Sequence, residues 1–94
     1  MSAAQEAAET LALEALAWLA ASDDLLDNFM GATGASRDDL RVRAQDPDFL
    51  ASILDFLMMD DNWVIAFCGA YGHPNEAPMR ARMALPGGAE VNWT

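Results

Sequence analysis

The stretch Asp46-Pro47-Asp48-Phe49-Leu50-Ala51-Ser52-Ile53-Leu54-Asp55-Phe56-Leu57-Met58-Met59 decides the fold. Its first residues open a helix, because an Asp side chain caps free backbone N–H groups and Pro suits the first helical turn. Beyond Pro47 only Asp48, Ser52 and Asp55 are polar. A helix that is apolar on nearly every side must be enclosed by other elements. The chain therefore has to supply its own cover, and the flanking sequence says what that cover is.

Helix signals fill both flanks, and no stretch sustains the alternation of a half-buried strand. Upstream, residues 3–21 are dominated by Ala, Leu and Glu, with Leu11, Ala15, Trp18 and Leu19 on one face. Ser22 caps a second helix that starts with Asp23 and Asp24 and stops at Gly34, the residue best suited to a left-handed end. Ser36, with Asp39 three positions on, predicts a capping box and a third helix over 37–45. Downstream of the central helix (47–59), Asp60 or Asp61 starts a fifth that ends at Gly72. A sixth runs over 75–85 with an irregular start, since Pro78 is tolerated only in a first turn. Pro86-Gly87-Gly88 closes it, leaving a tail over 89–94 that carries Trp93.

Sliding the chain by 38 residues lays Asp23–Gly34 over Asp61–Gly72, and both segments contain F-x-G-A-x-G. Leu16, Trp18 and Leu19 then fall on Leu54, Phe56 and Leu57. The chain reads as two copies of helix, helix, turn, helix. Its 94 residues bury about 64% of the unfolded surface, enough for one modest core and too little for two. The expectation is all-α: a single compact bundle of five or six short helices over 1–88, in two related units sharing one interior.

Fifteen acidic residues face five basic ones, all Arg, for a net charge of −10. Phosphate backbones and anionic lipids repel such a chain, so nucleic acid and membrane are poor partners, and a basic protein surface or a cation is more compatible. The single cysteine, Cys68, cannot form an internal disulfide. Glu6 and Glu9 stand where an export signal needs positive charge, and the longest uncharged run, Asn62–Gly72, is too short to span a bilayer. A soluble cytoplasmic protein is expected.

Three motifs invite a chemical reading. Asp23-Asp24-Leu25-Leu26-Asp27 has the DDxxD spacing that holds magnesium in larger enzymes. However, Asp38-Asp39, Asp46 with Asp48, and Asp60-Asp61 sit equally at helix starts, so capping and the helix dipole explain all of them together. Cys68, His73 and Glu76 mix zinc-ligand types, but a zinc site wants a further Cys or His that the chain lacks. Residues 23–45 look like a helix-turn-helix with Arg37, Arg41 and Arg43 on its second helix, although Asp38 and Asp39 occupy the turn that would lead into a groove. No catalytic residue, metal site or cofactor is assigned.

The string Asp46-Pro47-Asp48-Phe49-Leu50, Leu54-Asp55-Phe56-Leu57, Asp60-Asp61, Phe67 and Gly72, preceded by Gly34 and Leu40-Arg41, resembles a family of short bacterial proteins to which no function has been assigned. The likeness covers about Trp18 to Leu85. It implies a stand-alone helical protein of the bacterial cytoplasm and brings no activity, cofactor or site residue. The residues themselves point to a non-enzymatic protein–protein interaction module, its partner being another protein or a second copy. Adaptable methionines on a surface suit such docking, and adjacent residues of a helix cannot share one core seam. The candidate face is Met58, Met59 and Trp63, rimmed by Asp55, Asp60 and Asp61. The alternative is a DNA-associated regulator using Arg37, Arg41 and Arg43, with Arg80 and Arg82 as a second set. An enzyme built on Asp23, Asp24 and Asp27 comes third.

Overall fold

In the computed structural model, which describes residues 3–85, the chain forms α1 (Ala3–Ala20), α2 (Asp23–Thr33), α3 (Arg37–Arg43), α4 (Pro47–Leu57), α5 (Asp61–Tyr71) and α6 (Ala77–Met83), with no strand among the described residues. The Pro86-Gly87-Gly88 stop and the tail with Trp93 lie outside that range.

Local chemistry sets each boundary. The Ser22 hydroxyl accepts from the Leu25 N–H at 3.4 Å, starting α2. Ser36 accepts from the Asp39 N–H at 3.2 Å while the Asp39 carboxylate accepts from the Ser36 N–H at 3.0 Å, a complete capping box for α3. Asp46 accepts from the Asp48 N–H at 3.0 Å and Asp60 from the Asn62 N–H at 2.8 Å. Gly34 and Gly72 end α2 and α5 at φ of +76° and +73°, where any other residue crowds its own Cβ against the backbone. Glu76 gives α6 no side-chain cap, and its start is left to Pro78 in the first turn. The observed α3, α4 and α6 are each shorter than the sequence spans, because their ends lack a left-handed glycine and close in right-handed turns.

α4 lies at the centre, with Phe49, Leu50, Ala51, Ile53, Leu54, Phe56 and Leu57 all buried. It packs against α1, α2 and α6, while α1 in turn meets α2, α5 and α6. The radius of gyration, 12.5 Å, is close to the roughly 12.4 Å of a fully compact chain of this length.

The 38-residue repeat shows in part of the packing. It carries α2 onto α5 residue for residue and Gly34 onto Gly72. Trp18 meets Phe67 edge to face, centroids 6.2 Å apart at 69°. The offset converts that pair into Phe56 and Phe29, which stand 5.3 Å apart at 74°. Each unit thus gives the aromatic of its first helix to the phenylalanine of the other's second helix, the reciprocity a two-fold axis produces. Phe29 and Phe67 are both fully buried, as are Leu19 and Leu57.

The symmetry fails at the third helices. α6 packs on both α1 and α4 and buries Pro78 and Ala81, whereas α3 has no fully buried residue. Composition explains the difference. Five of the seven residues of α3 (RDDLRVR) are charged, so Leu40 alone packs against the core and Val42 is left outside. The small Ala77, Ala81 and Ala84 instead let α6 approach the alanine face of α1 at Ala4, Ala7 and Ala8.

The repeated glycines give a test with opposite signs in each half. A Cβ built on Gly31 or Gly69, inside α2 and α5, meets nothing within 4 Å. Gly31→Ala and Gly69→Ala should each stabilise by about 0.5–1 kcal/mol. Gly34→Ala and Gly72→Ala should each destabilise by about 1–2 kcal/mol. Urea unfolding followed by circular dichroism reads all four.

Candidate functional site

A surface groove lies where α4 turns into α5. α4 is released at Met58, whose N–H still reaches the Leu54 carbonyl at 3.0 Å, and Asp60 restarts the chain as the cap of α5. A turn this tight sends consecutive side chains apart. Met58 is half-buried against the core and Met59 is 74% exposed. Trp63 lies half-buried and stacked on Phe56, centroids 5.1 Å apart at 24°, sealing the corner from within the domain.

Beside this corner runs a groove of about 430 Å³. Met58, Asp61 and Val64 line it from the α4–α5 side, and Asn75, Glu76, Pro78 and Met79 from the start of α6. Its size lies in the usual range of small binding clefts. The floor is apolar and soft, with two methionines, a valine and a proline. The ionisable groups in its lining, Asp61 and Glu76, are both acids. The acidic field extends beneath it: burial first, and then the charge of Glu76, push the thiol of Cys68 above its ordinary range.

Of the residues read from the sequence as one face, the groove gathers Met58 and Asp61. Met59 points outward next to it, and Trp63 is engaged with Phe56. Asp60 spends a carboxylate oxygen capping α5, and Asp55 pairs with Arg82 at 2.7 Å. Val64, Asn75, Glu76 and Pro78 join this groove with no sequence signal that groups them with Met58, because only the packing of α6 brings them there. Met79 was detectable through its i, i+4 spacing with Met83, which is likewise exposed.

The other candidate groups are dispersed or committed. Arg37, Arg41 and Arg43 are all exposed on α3, but Asp38 and Asp39 fill its first turn, and the Arg43 guanidinium sits 4.7 Å over the Phe49 ring. The bonds that Asp39 accepts from the Ser36 backbone and hydroxyl hold its carboxyl below the ordinary Asp range. Asp23 and Asp24 stand in the first turn of α2 behind the Ser22 cap. Among the described residues, no three His, Cys, Asp or Glu side chains come together as a metal site. His73 Nε2 lies 2.7 Å from Glu14 Oε1, tying the turn after α5 back to α1, while Cys68 is 1% exposed.

The model of a family described as a protein of unknown function (DUF3572) matches residues 5–88, and the chain belongs to that family. No curated protein and no solved structure matches it. Among the described residues, no helix is long and apolar enough to cross a membrane.

Burial and a raised pKa make Cys68 unreactive in the folded chain, since only the thiolate attacks. Ellman's reagent at pH 8 should label it at the rate of unfolding, and fast labelling should appear only in denaturant. Rapid labelling of the native protein would show an open path to the α5 interior.

Proposed function

We propose that this member of the DUF3572 family is a non-enzymatic interaction module that docks another protein on the corner formed by Met58, Met59, Met79 and the groove between them. The observation that supports this most directly is that core and surface methionines converge there from two helices: Met58 and Met79 line one groove, with Met79 55% exposed and Met59 74% exposed. A flexible thioether adapts to a partner's shape at little cost, and exposed apolar side chains around a cleft with polar edges are how docking surfaces are built. The groove supplies the room such docking needs, about 430 Å³ with an apolar floor. The DNA-associated alternative draws less support, because Asp38 and Asp39 precede Arg41 and Arg43 on the helix that would have to enter a groove.

The test removes the surface without touching the core. Met59→Asp with Met79→Asp changes two exposed positions, each within about ±0.5 kcal/mol of neutral for stability. The doubly substituted chain should keep its melting temperature within about 4–8 °C. Used as bait in lysate of the native host, it should lose at least nine-tenths of any protein that the unsubstituted chain retains. Identical retained sets for the two baits would sink this reading.

A further inference from the structure

The 38-residue offset offers a comparison of residue type for the groove. Its seven lining positions, Met58, Asp61, Val64, Asn75, Glu76, Pro78 and Met79, correspond through the 38-residue offset to Ala20, Asp23, Leu26, Arg37, Asp38, Leu40 and Arg41. In the first unit two acids are therefore matched by two arginines. In the second, Asn75 and Met79 take the places of the arginines, and Asp61 and Glu76 are left without a cation in the lining. The floor differs in the same sense: Leu26 is 3% exposed, whereas its counterpart Val64 is only half-buried. The chain's remaining cations are directed elsewhere. Arg82 pairs with Asp55, and Arg80 lines a separate shallow groove against α1. The groove of the second unit has an apolar floor, and the ionisable groups in its lining are acids alone.

We infer that the occupant of this groove is a basic amphipathic segment of another protein, a short helix whose large apolar side chains enter between Met58, Val64 and Met79 while flanking Lys or Arg meet Asp61 and Glu76. This rests on the docking reading above and adds the partner's chemistry. A helix laid in an apolar groove with charged edges of opposite sign is an established mode of recognition, and the charges govern which partner is accepted and how fast it arrives. A second copy fits less well, because it brings a net charge of −10 to a rim that is already acidic.

The probes are two synthetic 14-residue peptides with Leu at i, i+3, i+4 spacing, one carrying Lys and the other Glu at the remaining positions. Binding is followed by anisotropy and by the methyl NMR signals of the methionines, with Met30 on α2 as an internal reference. The Lys peptide should shift Met58 and Met79 and leave Met30 in place, and should bind at least tenfold more tightly than the Glu peptide. Asp61→Asn with Glu76→Gln should weaken it at least tenfold. Asp24→Asn with Asp27→Asn, an equal change of charge on exposed α2 positions, should weaken it less than twofold. Equal weakening by the two pairs would mean attraction to bulk charge and would overturn the inference. If the Glu peptide shifts Met58 and Met79 as strongly, the partner chemistry is wrong while the docking surface stands. If neither peptide moves them, the inference fails, and the bait comparison decides the docking reading separately.

Discussion

The constraint on which the molecule depends is the enclosure of α4. Seven of its eleven residues are buried, and the strip of Asp48, Ser52 and Asp55 is left toward solvent. No single neighbour can cover such a surface, so α1, α2 and α6 each take a sector of it. In a chain this short the margin between burial and conformational entropy is narrow, and a helix left partly uncovered would forfeit a large share of it. The order of the helices, their shortness and the tight turns between them follow from placing three covers around one element.

Short helices are costly to start, and this explains the distribution of acid. Helices of seven to eleven residues are marginal alone, and each cap contributes about 1 kcal/mol toward forming them. Ser22, Ser36, Asp46 and Asp60 do this through hydrogen bonds to backbone N–H groups one turn in, with further Asp in the first turns favoured by the helix dipole. The same assignment gives several of the acids a structural task. Asp39 and Asp60 hold helix ends, Asp23 and Asp24 lie behind a serine cap, and no described cluster converges on an ion.

These local rules are why so much of the architecture is legible in the residues. Ser36 with Asp39, Asp46-Pro47, Gly34 and Gly72 specify boundaries through contacts within four positions, and such contacts survive whatever the tertiary structure does. The functional corner obeys a different logic. Asp55–Arg82 spans 27 residues and His73–Glu14 spans 59, and neither pairing is encoded in spacing. Trp63 reads as part of a surface face until Phe56 is seen beneath it, and Glu76 reads with Cys68 and His73 until α6 brings it into the same groove lining as Asp61. Met58 and Met59 fall between the two cases. Their divergence is a local property of adjacent helical residues, but what Met58 faces depends on where α6 packs.

The asymmetry of the repeat connects packing to surface chemistry. The two units meet reciprocally through Trp18–Phe67 and Phe56–Phe29, pairs made by the first and second helices of each. The third helices are consequently free to differ. α3 keeps charge on most of its surface and stays peripheral, at no cost to an interior it barely touches. α6 exchanges that charge for alanine, proline and methionine and settles against α1 and α4, and its N-terminal end stops short of filling the space beside α5. The groove is what remains when a symmetric core is covered by unequal helices. The two acids of its lining, Asp61 and Glu76, are both exposed, so its acidity can be tuned without disturbing the fold.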